Sequence, residues 1–139
     1  MKLELRRPAT AEHASEHARV AVELFGREFE RALDFSPRSL EEVDGQLEQL
    51  REAGHTVEEL GEALFAVGCY LGEVMVLALG GRWQATKGSA LDGVSPWPMV
   101  VMLPGGAAWD AIGKVFRRFE VGDSEYLPAF FAAAAGRLG

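Results

Sequence analysis

The feature that most constrains this chain is a long apolar stretch near its middle, Leu60–Gly81. Beyond Glu62 the stretch is apolar on almost every helical face, which is typical of a helix surrounded by other elements. A capping-box pattern, Thr56 followed by Glu59, precedes it, and Gly80-Gly81 supplies a stop. We therefore predict a buried central helix around which the remaining elements pack.

Three glycines inside this predicted helix, Gly61, Gly68 and Gly72, each cost about 0.5–1 kcal/mol relative to alanine. Such a cost is expected where another backbone or an aromatic ring packs closely against the helix. Gly68 and Gly72 are four residues apart and share a face. Their spacing predicts a close crossing with another helix.

One carboxylate, Glu73, lies in the most hydrophobic part of the stretch. A buried carboxylate must be paired, hydrogen-bonded or protonated. Structural ion pairs account for most such residues, and the candidate partners are Arg82, Lys114, Arg117 and Arg118, unless Glu73 lies at the surface. The alternative is a ligand-binding or acid–base carboxylate in a cleft.

The same stretch is apolar enough that a membrane-spanning helix is an alternative interpretation. The run Ala63–Leu79 has 17 residues, near the lower limit for a transmembrane helix, and it contains Glu73. A charge at its centre would cost about 2.5–3.5 kcal/mol on insertion scales. We therefore expect a buried helix of a globular protein and no membrane association.

Composition predicts one globular domain over residues 1–139, with 48% hydrophobic and 25% charged residues. The net charge of −7 argues against a nucleic-acid or anionic-membrane partner. A single cysteine, Cys69, excludes an internal disulfide framework. The N-terminal residues contain no signal-peptide core, so a cytoplasmic location is the expectation.

The order of patterns along the chain predicts an α+β fold. A short extended arm (1–8) is followed by three N-terminal helices, the third being the buried central helix. A small antiparallel sheet of two or three strands and two C-terminal helices come next. The predicted bounds are Thr10 to about Leu33, Ser36 to Gly54, Thr56 to Gly81, Arg82–Thr86, Trp97–Leu103, Ala107–Trp109, a helix from Asp110, and Leu127–Gly136.

Four short motifs carry a resemblance to a family: Leu33–Ser36 with Val43-Asp44, Gly68–Glu73, Gly81–Trp83, and Gly113–Arg118. With these motifs the chain resembles a group of small bacterial proteins classed as a domain of unknown function, from about Leu33 to Phe119. The resemblance implies no established activity, substrate or cofactor. It points to Tyr70, Glu73, Trp83, Lys114 and Arg117 as residues of interest.

A possible metal motif is His13-Ala14-Ser15-Glu16-His17, which matches the H-x-x-E-H pattern of inverted zinc peptidases. A catalytic zinc needs a third protein ligand, for which Glu73 is the only candidate of interest. A solvent-facing amphipathic helix explains the pentapeptide more simply. We therefore expect no metal and no cofactor.

No nucleophile elbow, phosphate-binding loop, dinucleotide-binding turn or cysteine pair is present. Our first hypothesis is a non-catalytic module that binds an unknown protein or small molecule through the sheet face and its loops, including residues 87–96. The candidate ligand-binding residues are Tyr70, Glu73, Trp83, Trp97, Lys114 and Arg117.

Two alternatives stay open. One is a small enzyme that uses Glu73 as acid or base, together with Tyr70 and a basic residue of the fourth helix. The other is a structural protein that forms an oligomer such as a homodimer.

Lys114, Arg117 and Arg118 form a basic cluster late in a predicted helix. Cations at that position complement the helix dipole, so an anion site is the less favoured interpretation of the cluster.

Overall fold

The computed structural model describes residues 7–137. Within this range five α-helices and a three-stranded sheet confirm the predicted α+β order. The elements are α1 (Ala14–Phe29), α2 (Ser39–Glu52), α3 (Val57–Leu79), β1 (Arg82–Ala85), β2 (Met99–Met102), β3 (Ala108–Trp109), α4 (Ala111–Val121) and α5 (Leu127–Gly136). Short 3₁₀ turns, Ala11–His13 and Asp123–Glu125, precede α1 and α5. Most of the predicted N-terminal arm lies outside the described residues.

The buried central helix is α3. Both hydrogen bonds of the capping box form at its start: the amide of Glu59 donates to Thr56 Oγ1 (3.2 Å), and the amide of Thr56 donates to Glu59 Oε1 (3.0 Å). Every residue from Ala63 to Gly72 is buried. The helix ends at Gly80, whose left-handed φ of 73° suits glycine.

By length and mean hydropathy, 1.7 over its most apolar window, α3 also meets the criteria for a membrane-spanning helix. However, 67% of that window is buried inside the fold. A largely buried window of this kind is characteristic of the core helix of a globular protein.

Two glycines allow close approaches to α3. A Cβ built on Gly68 would lie 2.7 Å from Ile112 Cα, so the predicted close helix crossing exists and its partner is α4. At Gly72 the prediction of a helix crossing is wrong, because the indole ring of Trp83 occupies the space where a Cβ would lie. The reason is that β1 follows α3 directly and packs back against it.

The sheet is antiparallel, in the order β1-β2-β3, with Trp83 opposite Val101 and Val101 opposite Trp109. Val101 contacts the same part of α3 as Trp83, and the central strand β2 is buried from Met99 to Val101. The inner face of the sheet therefore packs against α3. This arrangement covers one face of a sheet too small to be stable alone.

Helix α1 ends four residues earlier than predicted. Its last residue is Phe29, because Glu30 adopts a left-handed φ of 53° and its amide donates to the carbonyl of Phe25. Helix α2 begins at Ser39, and Ser36 Oγ accepts the amide of Ser39 (3.2 Å) just before it.

A buried arginine joins the second, fourth and fifth helices. Arg118 is 1% exposed and donates to both carboxylate oxygens of Asp44 (2.8 and 3.1 Å) and to Glu48 (2.7 Å). Asp44 also accepts the amide of Leu127 at the start of α5 (2.9 Å). Burial opposes the charge of Arg118, but the hydrogen bonds to Asp44 and Glu48 raise its pKa overall.

Candidate functional site

The site with the chemistry of a small-molecule pocket is an open groove at the start of α3. Its volume is about 380 Å³, within the range of ligand pockets. We call it the aromatic groove, and its lining residues are Ala9, Glu58, Gly61, Glu62, Phe65, Trp97, Pro98 and Phe116.

Three aromatic rings from different elements meet in the aromatic groove. Trp97 stacks on Phe116 of α4, with ring centroids 4.4 Å apart and an interplanar angle of 28°. Phe65 of α3 lies 6.4 Å from Trp97 at a tilt of 47°. Phe65 and Phe116 are buried, whereas Trp97 is half-buried. The ring of Trp97 is therefore the main aromatic surface that the groove presents to solvent.

The backbone of Trp97 is held on both sides. Thr86 Oγ1 donates to the carbonyl of Trp97 (2.6 Å), and the amide of Trp97 donates to Ser95 Oγ (3.2 Å). The amide of Thr86 also donates to the carbonyl of Pro98 (3.0 Å). These bonds fix the backbone of Trp97 at the entry to β2.

Gly61 leaves the wall of the aromatic groove open. A Cβ built on it meets nothing within 4 Å, so the predicted close packing is wrong for this glycine. Its cost within a helix is therefore not explained by a close contact in the described part of the chain. A larger side chain at this position would extend into the groove rather than into the core.

The charge at the aromatic groove is negative. Glu58 and Glu62, one turn apart on α3, are both exposed, and neither is in a salt bridge with another described residue. The groove lining includes no lysine, arginine or histidine among residues 7–137. The site thus combines aromatic walls with two carboxylates on its rim.

Of the six residues predicted to bind a ligand, only Trp97 lines the aromatic groove. Two further hollows, one beside Arg31 and Gln49 and one beside Arg82 and Pro104, contain none of the six. The Lys87–Pro96 loop does not line the groove either.

Tyr70 is fully buried and has a structural role. Its hydroxyl accepts the amide of Phe35 (2.8 Å) and lies 2.6 Å from Ser39 Oγ, and its ring stacks on Phe35 at 4.9 Å. Ser39 Oγ donates to the carbonyl of Ser36 (2.7 Å), which leaves Tyr70 as the donor to Ser39. Tyr70 therefore fastens the segment between α1 and α2, including Phe35 at its left-handed φ of 64°.

Glu73 is half-buried, and its Oε2 is buried with no hydrogen-bond partner among the described residues. Burial raises the pKa of its carboxyl, and Arg19 of α1 opposes that effect from a distance. It lines none of the three hollows.

The ion pair predicted for Glu73 does not form. Lys114 bonds Glu125 (2.7 Å), Arg117 lies nearest Glu125 (3.4 Å), Arg118 bonds Asp44, and Arg82 bonds Gln84. These four cations lie on α4 and β1 with acceptors of their own. The sequence of α3 alone does not indicate that these cations pair with other acceptors instead of Glu73.

Trp83 and the basic residues of α4 have packing roles. Trp83 fills the space over Gly72, and its Nε1 is buried without a partner among the described residues. Lys114 lies 5.6 Å from the centroid of Phe130 and bonds Glu125. The hydrogen bond from Lys114 lowers the pKa of Glu125. These pairs leave the α4 cations with internal partners.

The two histidines of the H-x-x-E-H motif have partners in the fold. His17 is buried rather than solvent-facing, and its Nε2 donates to the carbonyl of Pro8 (2.9 Å). His13 Nδ1 lies 3.2 Å from Glu16 Oε1. Between residues 7 and 137 no cluster of three His, Cys, Asp or Glu side chains is arranged to hold a metal ion.

Of the eight lining residues of the aromatic groove, sequence reasoning missed every one except Trp97, including Phe65, Phe116, Glu58 and Glu62. The two phenylalanines fit the apolar faces of their helices, and the glutamates fit an ordinary first helical turn. The available signal was Gly61, a costly glycine close to Glu58, Glu62 and Phe65 in α3.

No protein-family model matches the chain, and neither a curated protein nor a solved structure matches it significantly. The resemblance to a family of small bacterial proteins stays a prediction.

Proposed function

We propose that this protein is a non-catalytic binding module whose small ligand places an apolar group against Trp97 in the aromatic groove. The observation that carries the proposal is the meeting of Phe65, Trp97 and Phe116 around a space that Gly61 leaves open. Concave sites with aromatic walls and few polar groups are typical of ligand pockets.

The arrangement favours binding over catalysis. The titratable groups of the groove are the exposed carboxylates of Glu58 and Glu62, neither of which is paired with a nucleophile or a general base within the described residues. Glu73 and Tyr70, which the alternative enzyme hypothesis names, have separate surroundings. The basic residues of α4, one of which that hypothesis requires, pair with other carboxylates. The homodimer hypothesis stays a prediction.

A direct test uses N-phenylnaphthylamine, an uncharged probe whose fluorescence rises in apolar sites. We expect the probe to bind the wild-type protein and to lose binding in Gly61→Phe, because the new ring fills the groove. Gly26→Phe is the matched control, since Gly26 also lies in a helix with open space around it.

Equal probe binding by the wild type and Gly61→Phe would contradict the proposal, as would loss of binding in both variants. Circular dichroism establishes that both variants are folded. A Cβ at either position meets no other atom within 4 Å, so unfolding is not the expected outcome of either change.

A further inference from the structure

We infer that the ligand of the aromatic groove is an organic cation of the methylated-ammonium class. The inference rests on the proposed function and adds the charge and the chemical type of the group that enters the groove. Three features support it: the sign of the rim charge, the aromatic lining, and the apolar character of the remaining walls.

The rim of the groove selects for positive charge. Glu58 and Glu62 are exposed and lack salt-bridge partners among the described residues, so both are available to an incoming cation. The described lining holds no basic side chain that would compete for them. The net charge of −7 also favours cationic over anionic ligands at long range.

The aromatic lining acts in the same direction. Aromatic faces attract cations through the ring quadrupole, and tryptophan is the strongest of the three aromatic residues in this respect. Trp97 stacks on Phe116 and lies beside Phe65 without being enclosed by them, since it lines the groove and is only half-buried. The half-buried ring remains accessible to a ligand.

The apolar character of the other walls favours a methylated cation over a primary ammonium. Ala9, Gly61, Pro98 and Phe65 offer no side-chain hydrogen-bond acceptor, so a primary ammonium would lose hydration without full replacement. A methylated ammonium keeps its charge while presenting methyl groups to these apolar walls. Aromatic sites recognise quaternary ammonium groups in this manner.

The test compares choline with its uncharged carbon analogue, in which a tert-butyl group replaces the trimethylammonium group. The readout is the chemical shift of the Trp97 indole N–H, assigned with Trp97→Phe. We expect choline to bind several-fold more tightly than the analogue, with an affinity that falls as salt is added.

Charge variants locate the source of the preference. Glu58→Gln with Glu62→Gln should weaken choline binding roughly 3- to 10-fold and leave the analogue unchanged, as expected for exposed charge pairs. Glu23→Gln with Glu28→Gln is the matched control, because it removes the same charge from exposed positions on α1. The control should change choline binding much less.

Equal or tighter binding of the carbon analogue would overturn this inference and leave the proposed function intact. Equal effects of the two double variants would overturn it as well, because the net charge alone would then explain the preference. If neither compound shifts Trp97 up to its solubility limit and N-phenylnaphthylamine also fails to bind, the inference and the proposed function both fail.

Discussion

Glu73 shows how a single side chain sets a local pH dependence. Its buried Oε2 lacks a partner in the described part of the chain, and burial raises the pKa of the carboxyl above its ordinary value of 4.5. The folded protein therefore holds this proton to higher pH than the unfolded chain does. As pH rises through the raised pKa, the folded state loses stability relative to the unfolded state.

Replacing Glu73 by glutamine should remove this penalty. We expect Glu73→Gln to have a larger free energy of unfolding than the wild type near neutral pH, and the difference should shrink to near zero at about pH 3, where both states are protonated. Urea unfolding at the two pH values measures it. Glu23→Gln on the exposed side of α1 is the control, and a loss of stability in Glu73→Gln at neutral pH would contradict this account of Glu73.

Residue-scale reasoning from the sequence found Glu73 and Trp97 but assigned their surroundings incompletely. The apolar neighbours of Glu73 in α3 establish that its carboxylate is costly, whereas its possible partners depend on the placement of α4 and β1. Trp97 stands out as an aromatic residue at the start of a predicted strand. Phe65 does not stand out, because an apolar pattern does not tell which part of a buried helix borders an open groove.

At the scale of elements, two glycines of α3 differ in how closely other parts of the chain approach them. Gly68 lies against the backbone of Ile112 where α3 and α4 cross, whereas Gly61 faces open space. The same substitution should therefore have opposite effects at the two positions.

Gly61→Ala should raise the free energy of unfolding by about 0.5–1 kcal/mol, through helix propensity and reduced freedom of the unfolded chain. Gly68→Ala should lower it by about 1–3 kcal/mol, because the new methyl group meets backbone atoms that cannot move independently. Urea unfolding of the two variants provides the comparison. Equal stabilisation by both would contradict the close crossing at Gly68.

The existence and order of the helices were predictable because capping signals and apolar periodicity are local. Thr56 with Glu59 and Asp110 with Gly113 cap α3 and α4 as their sequences indicate. The end of α1 was less predictable, since Glu30 adopts a left-handed conformation that no glycine marks. The ring of Trp83 over Gly72 is a contact between elements, which spacing within one helix cannot reveal.

For the whole molecule, Arg118 links parts of the chain that are far apart in sequence. Two of its carboxylate partners, Asp44 and Glu48, lie on α2, and a third, Asp123 (3.1 Å), lies in the turn before α5. Asp44 in turn holds the start of α5. The hydrogen bond to Arg118 lowers the pKa of Glu48, so this contribution to stability is lost as pH falls below the ordinary range of a glutamate. That direction is opposite to the one predicted for Glu73.

Arg118→Met should lower the free energy of unfolding by about 3–5 kcal/mol, because it leaves the buried carboxylate of Asp44 without its cation. Arg117→Met is the matched control from the next position, where the side chain is exposed and its pairs are long; about 0–1 kcal/mol is expected. Thermal and urea unfolding both report the difference. Similar losses in the two variants would mean that the buried network is not a major support of the fold.

The claim that the aromatic groove is the binding site is tested most directly by the position of a bound probe. Intermolecular nuclear Overhauser effects between N-phenylnaphthylamine and the protein measure that position. We predict contacts with the ring protons of Phe65, Trp97 and Phe116. Contacts confined to the hollow beside Arg31 and Gln49, or to the one beside Arg82 and Pro104, would contradict the account.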